Sequence, residues 1–269
     1  MQPPVSSTRQ GFARCVHQAR LFFIALQFFT RLPIPRWVGF EAQWLHHASR
    51  YFPAVGIVVG AVTAAVYALS AWLWPHVVAV LASTIAGIYL TGAFHEDGFA
   101  DTCDGLGGGM TRQRVLEIMV DSRIGAYGAI GILLLLAMKC TTLACLPPQM
   151  VIAALLLGHP LSRLASTALI WRLDYAKGEG KAKPLAQHMS NAEFFIAAST
   201  VLLPAIVLCF AGRLPWPALA AGIAAVALVA LWLARKFVRR IGGYTGDCLG
   251  AVQQVTEAVW YLALLASVE

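Results

Sequence analysis

The hydrophobic positions of this chain fall in long unbroken runs separated by short polar segments. Seven runs lie at about 51–74, 77–95, 125–145, 150–171, 193–212, 215–234 and 247–268. Each approaches the roughly 20 residues that a helix needs to cross about 30 Å of hydrocarbon, and none alternates every second residue as barrel strands do. The pattern predicts an all-α, polytopic membrane helical bundle with about seven transmembrane helices, and it argues against a β-barrel.

The first 50 residues follow a different pattern, in which six arginines surround the short apolar stretch 21–29. That stretch is too short to span a bilayer, and it is followed by Leu32-Pro33-Ile34-Pro35, where proline stops a helix. We predict an N-terminal amphipathic helix in the membrane interface. A cleaved signal peptide is disfavoured, because no small-residue cleavage site follows the apolar run.

Composition agrees with a membrane protein. The 269 residues are 59% hydrophobic and 12% charged, whereas a soluble domain is about half apolar and a quarter charged. A soluble enzyme and a disordered chain are therefore excluded. No internal repeat or linker is evident, so residues 1–269 are predicted to form a single integral membrane domain.

The net charge is +7. In a membrane protein, an excess of Lys and Arg indicates the orientation of the helices rather than binding of nucleic acid. If the N-terminus is cytoplasmic, 17 of the 20 Lys and Arg residues fall on the cytoplasmic side, as the positive-inside rule requires. The expected location is the cell inner membrane, with the N-terminus and active site cytoplasmic and the C-terminus outside. The protein is expected to interact with the lipid bilayer and not with nucleic acid.

Acidic residues are scarce, yet six of the thirteen lie between positions 96 and 121. Asp97, Asp101 and Asp104 are spaced four and three apart, so a helix carries them within about 60° of one another. Such a stripe is repulsive unless a cation lies among the carboxylates, and hard oxygen ligands favour Mg²⁺ or Mn²⁺. The alternative is an ordinary solvated acidic helix end.

Two flanking segments extend this candidate site. Thr111 is predicted to cap a short helix that ends near Met119, after which Asp121 could complete a metal shell and Arg123 could hold a phosphate in fork geometry. A Gly-rich turn with Gly243, Thr245 and Asp247 then opens the last span, where free backbone N–H groups favour an anion and Asp247 favours a metal or a substrate hydroxyl.

Polar residues inside the predicted spans are functional candidates by default. Arg163 is expected to pair with a carboxylate or a substrate phosphate, with snorkelling to the headgroups as the alternative. Lys139 is predicted to snorkel outwards, and Glu257 needs an internal partner that the sequence does not name. His95 could act as a base, although a structural hydrogen bond is as good an interpretation.

Acidic residues, basic residues and glycines on one membrane face are typical of an enzyme that transfers a group at a phosphodiester or a diphosphate. A divalent cation transporter is the competing class, but its acids would lie near the bilayer midplane. A cluster at one end of the spans favours the enzyme.

Five sequence blocks are distributed along nearly the whole chain: Gln27 to Pro35, Tyr51 to Gly56, His95 to Gly105, Asp121 to Gly128 and Gly243 to Asp247. In this order the blocks closely resemble the cobalamin synthase family of adenosylcobinamide-GDP ribazoletransferases. The central acidic block is the most specific, and Glu96 departs from the aliphatic residue expected there. A CDP-alcohol phosphotransferase is less similar, because Ala100 is followed by Asp101 where that family has arginine.

The resemblance implies a Mg²⁺-dependent transferase that joins adenosylcobinamide-GDP to α-ribazole or α-ribazole 5′-phosphate, giving cobalamin or its phosphate and GMP. On this hypothesis Mg²⁺ is held by Asp97 and Asp101, with Asp104 and Asp121 as further ligands. Arg123 then compensates the charge of the departing GMP. Homo-oligomerisation and association with other cobalamin-assembly enzymes stay open as partner hypotheses.

Overall fold

The computed structural model describes residues 7–39, 41–176 and 189–268, and it is helical. Its eleven α-helices are α1 (Ser7–Phe29), α2 (Ala42–Ala48), α3 (Phe52–Ser70), α4 (His76–Thr91), α5 (Phe94–Gly108), α6 (Arg112–Ile118), α7 (Ala126–Cys145), α8 (Pro148–Arg172), α9 (Asn191–Phe210), α10 (Trp216–Ile241) and α11 (Gly246–Leu265) in the described ranges. The predicted membrane helical bundle is confirmed. Three lysines of the topology count, Lys177, Lys181 and Lys183, lie outside the described residues.

Six stretches of the described chain are long and apolar enough to cross a membrane, and the pair α4 and α5 makes a seventh if it is taken as one span. Six of the seven predicted spans correspond to α3 and α7 to α11, and five of these agree to within a few residues at both ends. The sixth, α10, continues to Ile241, beyond the predicted end near position 234. Runs of apolar residues ended by Pro or Gly therefore located the helices well.

Helix α8 lies at the centre of the bundle, and 83% of the residues in its most apolar stretch are buried. Helix α3 packs on it through Gly56 and Gly60: a Cβ on Gly56 would lie 2.6 Å from the carbonyl oxygen of His159, and one on Gly60 would lie 2.8 Å from that of Leu155. Small residues allow the backbones of two helices to approach this closely. In lipid, where the hydrophobic effect does not drive helices together, such close packing stabilises their association. Buried α8 and α11 thus form the framework for the polar residues.

The second predicted span, 77–95, departs from the structure at its end. Helix α4 stops at Thr91, and α5 begins at Phe94 after a bend of 88°. Gly92 and Ala93 make the bend with φ angles of 67° and 59°, a left-handed conformation that is natural for glycine and costly for alanine. His95 and the aspartate stripe therefore lie on a separate helix, nearly perpendicular to α4.

Candidate active site

Helix α5 carries the three aspartates on one face, as their spacing predicts, but in three different environments. Asp97 is exposed, Asp101 is half-buried and Asp104 is buried. The two carboxylates nearer the N-terminus of α5 are therefore accessible to a ligand, and the third is enclosed by protein.

Asp104 is held by the first turn of α7. Its Oδ2 accepts a hydrogen bond from the backbone N–H of Gly125 at 2.7 Å, and its Oδ1 accepts one from Gly128 at 2.8 Å. A carboxylate at a helix N-terminus satisfies unpaired N–H groups and the helix dipole. Asp104 thus fixes α7 against α5, and its oxygens are engaged in this arrangement.

Asp121 is engaged by the neighbouring Arg123 in a bidentate pair. Arg123 Nε donates to Asp121 Oδ1 at 3.0 Å and Nη2 donates to Oδ2 at 2.7 Å, while the Arg123 backbone N–H also donates to Oδ1. The Arg123 hydrogen bonds lower the pKa of Asp121 from 3.8 to about 2. Both side chains lie at the surface, so a phosphate can compete for the guanidinium.

Replacing Arg123 with Gln is expected to raise the pKa of Asp121 from about 2 towards its ordinary 3.8, because the guanidinium hydrogen bonds to the carboxylate are lost. The pKa is depressed in the folded protein, so the pair stabilises this turn fully above pH 3.8 and is lost as the pH falls towards 2. Carboxyl-carbon NMR titration of Asp121 measures the shift. Arg213→Gln, in a distant loop, is the control; an unchanged Asp121 pKa in Arg123→Gln would contradict the pairing.

The turn before α11 is held by backbone contacts and by its cap. Tyr244 N–H donates to the carbonyl oxygen of Asp174 at 3.1 Å, and Ala176 N–H donates to that of Tyr244 at 2.8 Å. A Cβ on Gly243 would collide with the Asp174 carbonyl oxygen. Thr245 is fully buried and caps α11 by accepting from Cys248 N–H at 3.3 Å. Gly243 and Thr245 therefore shape the turn that presents Asp247.

Helices α5 and α11 meet through two glycines, which brings Asp247 beside the aspartate face. A Cβ on Gly98 would lie 3.0 Å from the Cα of Asp247, and a Cβ on Gly250 would lie 3.0 Å from the His95 carbonyl oxygen. Thr245 Oγ1 donates to Asp247 Oδ2 at 3.2 Å. The structure thus brings Asp97, Asp101 and Asp247 to one region, whereas Asp104 lies against the first turn of α7 and Asp121 lies against Arg123.

Gly250→Ala is expected to lower the free energy of unfolding by about 1–3 kcal/mol, because overpacking of a close contact forces the backbone to shift. The atoms that the new Cβ would meet, the His95 oxygen and the Gly98 Cα at 3.3 Å, belong to the backbone and cannot turn aside. Denaturant unfolding in detergent measures the loss. Gly11→Ala is the matched control, since a Cβ there meets nothing within 4 Å; equal losses in both variants would contradict the close packing.

A buried ionic cluster lies next to α5, formed by Glu96, Lys139, Arg163, Gln254 and Glu257. Lys139 Nζ lies 2.7 Å from Glu257 Oε1, and both residues are below 10% exposure. Lys139 also donates to Gln254 Oε1 at 3.1 Å, and Gln254 Nε2 donates to Glu96 Oε1 at 2.8 Å. Lys139 therefore does not snorkel as predicted, because Glu257 offers it an internal carboxylate.

Further groups complete the shell of Glu257. Tyr261 OH donates to its Oε1 at 2.9 Å, Gln253 Nε2 donates to its Oε2 at 2.6 Å, and His159 Nδ1 lies 3.3 Å from the same oxygen. Arg163 is 2% exposed, and its Nη1 donates to the His159 carbonyl oxygen at 3.0 Å. The structure places Arg163 inside the bundle rather than beside the aspartates.

His95 is also buried, at 4% exposure, and its ring stacks on Phe29 with the centroids 5.2 Å apart. The stack joins α1 to the start of α5. This environment favours the structural interpretation of His95 over a role as a solvent-exposed base.

Within the described ranges, no group of three or more His, Cys, Asp or Glu side chains is arranged to hold a metal ion. The predicted four-aspartate set is not assembled, because Asp104 binds the α7 amides and Asp121 binds Arg123. Asp97 is exposed and Asp101 is half-buried, and the two lie one helical turn apart on α5. Two carboxylates are a common protein contribution to a Mg²⁺ site that substrate phosphates complete.

Comparison with known proteins supports a transferase family. Residues 21–265 match the family described as cobalamin-5-phosphate synthase. The chain belongs to this family. The matched region contains α5, the turn after α6 and the turn before α11, so all the candidate site residues lie within it.

Full-length relatives agree with the family match. A protein of Leptothrix cholodnii is 45% identical over 95% of this chain and 98% of its own length, and one of Shewanella frigidimarina is 40% identical over the same shares. A third, from Shewanella piezotolerans, is 43% identical over 92% of this chain and 95% of its own. All three are named adenosylcobinamide-GDP ribazoletransferase. No solved structure matches the chain.

Sequence reasoning missed the ionic cluster as a unit. The available signal was the presence of Lys139, Arg163 and Glu257 inside apolar runs, since intramembrane charges face the interior and pair with one another. Gln253 and Gln254 gave a weaker signal of the same kind. Gln253 contacts Glu257 one helical turn away, but its other partner Ser162 and both partners of Gln254 lie more than 90 residues away in the chain, so only the fold identifies those contacts.

Proposed function

We propose that this chain joins adenosylcobinamide-GDP to α-ribazole, or to α-ribazole 5′-phosphate, and releases GMP in a late step of cobalamin biosynthesis. The full-length relatives that carry this activity in their names support the proposal. The observation that carries it is the accessible face of α5, where Asp97 and Asp101 lie one turn apart with Asp247 close by. Such a face suits a metal-bound diphosphate.

We assign Mg²⁺ to Asp97 and Asp101. The donor set fits, because Mg²⁺ is usually bound through one or two carboxylates together with substrate phosphates and water. Bound there, the ion would neutralise charge on the diphosphate oxygens. Asp104 is reassigned to holding α7 in place, because both its oxygens accept backbone hydrogen bonds.

The residues around this face have separate tasks in the proposed reaction. The ribazole hydroxyl attacks the phosphorus on the cobinamide side and releases its proton to solvent. The bond from that phosphorus to the bridging oxygen of the diphosphate breaks, and GMP leaves with that oxygen. Arg123 is exposed, and its planar guanidinium can release Asp121 and bind the phosphate of the leaving GMP. Arg163 has no part in binding phosphate on this scheme, since it is 2% exposed.

The proposed orientation puts this face in the cytoplasm, with the protein multi-pass in the inner membrane and the C-terminus outside. Basic residues gather at this end of the bundle. Arg240 donates from Nη2 to the Gly109 carbonyl oxygen at the end of α5, and Arg112 donates to that of Ala176. Arginines at the cytoplasmic ends of spans agree with the positive-inside rule.

A reconstituted assay tests the proposal. The purified chain in phospholipid vesicles is supplied with adenosylcobinamide-GDP, α-ribazole 5′-phosphate and Mg²⁺, and chromatography follows GMP and the corrinoid product. We expect both products in equal amounts and no reaction after chelation of the metal. Folded protein that forms neither product would overturn the proposed activity, and full activity in the presence of chelator would overturn the metal assignment.

A cation transporter is the second candidate, because a broken helix pair beside buried acids is typical of transport sites. The bend between α4 and α5 and the buried Glu257 are features of this kind. Glu257 is nevertheless paired with Lys139, which fills the position that a transported cation would need. Metal uptake into sealed vesicles without any phosphorus substrate would favour the transporter.

A further inference from the structure

Gln254 connects the centre of the ionic cluster to α5. Its amide oxygen accepts from Lys139 Nζ at 3.1 Å and its amide nitrogen donates to Glu96 Oε1 at 2.8 Å. The orientation of this amide is fixed by chemistry, because an ammonium group can only donate and a carboxylate can only accept. Lys139 therefore determines which end of Gln254 faces Glu96.

Glu96 directly precedes Asp97, so its hydrogen bond acts at the start of the catalytic face. Helix α5 is joined to α4 through two consecutive left-handed residues, Gly92 and Ala93, at an angle of 88°. No continuous helix therefore sets the direction of α5. Contacts with its neighbours must do so, and these include the glycine crossing with α11, the Asp104 contact with α7 and the bond from Gln254.

We propose that Lys139, Gln254 and Glu96 are positioning residues that hold α5 at its angle and thereby place Asp97 and Asp101 for the reaction. The proposal rests on the proposed function for its kinetic readout, and a structural readout tests it independently. Lys139 is further held by Glu257 at 2.7 Å. The chain of contacts thus runs from α7 through α11 to α5.

A single substitution can reverse one contact in this chain without removing a side chain. Gln254→Glu replaces the amide nitrogen that faces Glu96 with an oxygen, so two carboxylates oppose each other inside the bundle. Like charges at short range in a low dielectric repel strongly. Adding Glu96→Gln restores a donor and an acceptor in the opposite order, and it leaves the amino-acid composition and total charge of the wild type unchanged.

The kinetic experiment compares wild type, Gln254→Glu and the swapped double variant in the reconstituted GMP-release assay. We expect Gln254→Glu to lower kcat about tenfold by displacing the carboxylates, since small misplacement of catalytic groups is costly, with a smaller change in KM. The double variant is expected to recover most of kcat. Gln149→Glu makes the same change at an exposed position and should leave kcat unchanged.

Alkylation of Cys103 supplies the structural readout. Cys103 lies on α5 against α7, where a Cβ on Gly131 would be 2.9 Å from its Sγ. Movement of α5 should therefore change its reactivity towards N-ethylmaleimide, measured by mass spectrometry of the peptide. We expect an increase of about tenfold in Gln254→Glu, as local opening exposes a half-buried thiol, and a return towards the wild-type rate in the double variant.

The two readouts separate the possible failures. If the chain lacks transferase activity but the alkylation rates follow the expected order, the proposed function is wrong and α5 positioning stands. If Gln254→Glu changes neither kcat nor alkylation, or if the double variant recovers neither, the positioning proposal is overturned. Should Gln254→Glu fail to fold, Gln254→Met removes both hydrogen bonds without adding charge, and wild-type kcat and alkylation in that variant would overturn the proposal.

Discussion

Asp101→Asn is expected to lower kcat by about a thousandfold, the size of effect that follows removal of one group stabilising a transition state. Asn keeps the shape of the side chain but removes the negative charge that the proposed Mg²⁺ site requires. Asp97→Asn should have an effect of the same order, because both carboxylates lie on the accessible face of α5. Initial rates of GMP release in reconstituted vesicles measure the loss.

The matched control for these variants is Glu117→Gln on α6. Glu117 is an exposed carboxylate whose partner Arg114 lies 3.2 Å away on the same short helix, and an exposed pair of this kind contributes little. We expect full activity in Glu117→Gln. Full activity in Asp101→Asn would contradict the metal assignment. Full activity in both aspartate variants would contradict any role of the α5 aspartates in the reaction.

Lys139→Met is expected to destabilise the folded protein strongly. It leaves Glu257 at 2% exposure without its lysine counterion, and removal of one partner from a buried pair costs about 3–5 kcal/mol. Adding Glu257→Gln removes the orphaned charge, so the double variant should recover most of the lost stability. Denaturant unfolding in detergent, followed by circular dichroism, measures the free energy of unfolding of each variant.

Lys236→Met is the control for this pair. Lys236 lies over the ring of Trp232 at 5.2 Å near the end of α10, where an amphipathic lysine loses little when its charge is removed. A change below about 1 kcal/mol is expected for a contact of this kind. Equal losses in Lys139→Met and Lys236→Met, or a double variant less stable than Lys139→Met alone, would contradict a strong buried pair.

The helices were predictable because lipid imposes a simple requirement on the sequence. Long apolar runs with Pro or Gly at their ends gave six spans that agree with α3 and α7 to α11. The short helix after Thr111 was also predictable, since its start follows local capping chemistry. Signals of this kind act within a few residues and need no knowledge of the fold.

The direction of α5 was not predictable. The bend depends on Ala93 in a left-handed conformation. An alanine in a sequence gives no indication of this conformation, because only the surrounding packing can impose it. Helical periodicity placed Asp97, Asp101 and Asp104 on one face, and the structure agrees. Their separate roles depend on which helix N-terminus approaches Asp104, and that is decided by tertiary contacts.

Lys139 illustrates the same limit. Local rules favour snorkelling for a lysine near the end of a span, but Glu257 lies 118 positions further along the chain and only the fold brings it within 2.7 Å. Intramembrane charges of opposite sign should therefore be considered as pairs before each is assigned to the headgroups.

Photoaffinity labelling is the most direct test that the α5 face is the transferase site. The reconstituted protein is irradiated with an 8-azidoguanosine analogue of adenosylcobinamide-GDP, and labelled peptides are identified by mass spectrometry with unlabelled substrate as competitor. The account predicts competed label in peptides that contain residues 94–108 and 242–250, and much less label in Asp101→Asn. Competed label confined to the loops at the opposite end, around 146–148 and 211–215, would contradict it.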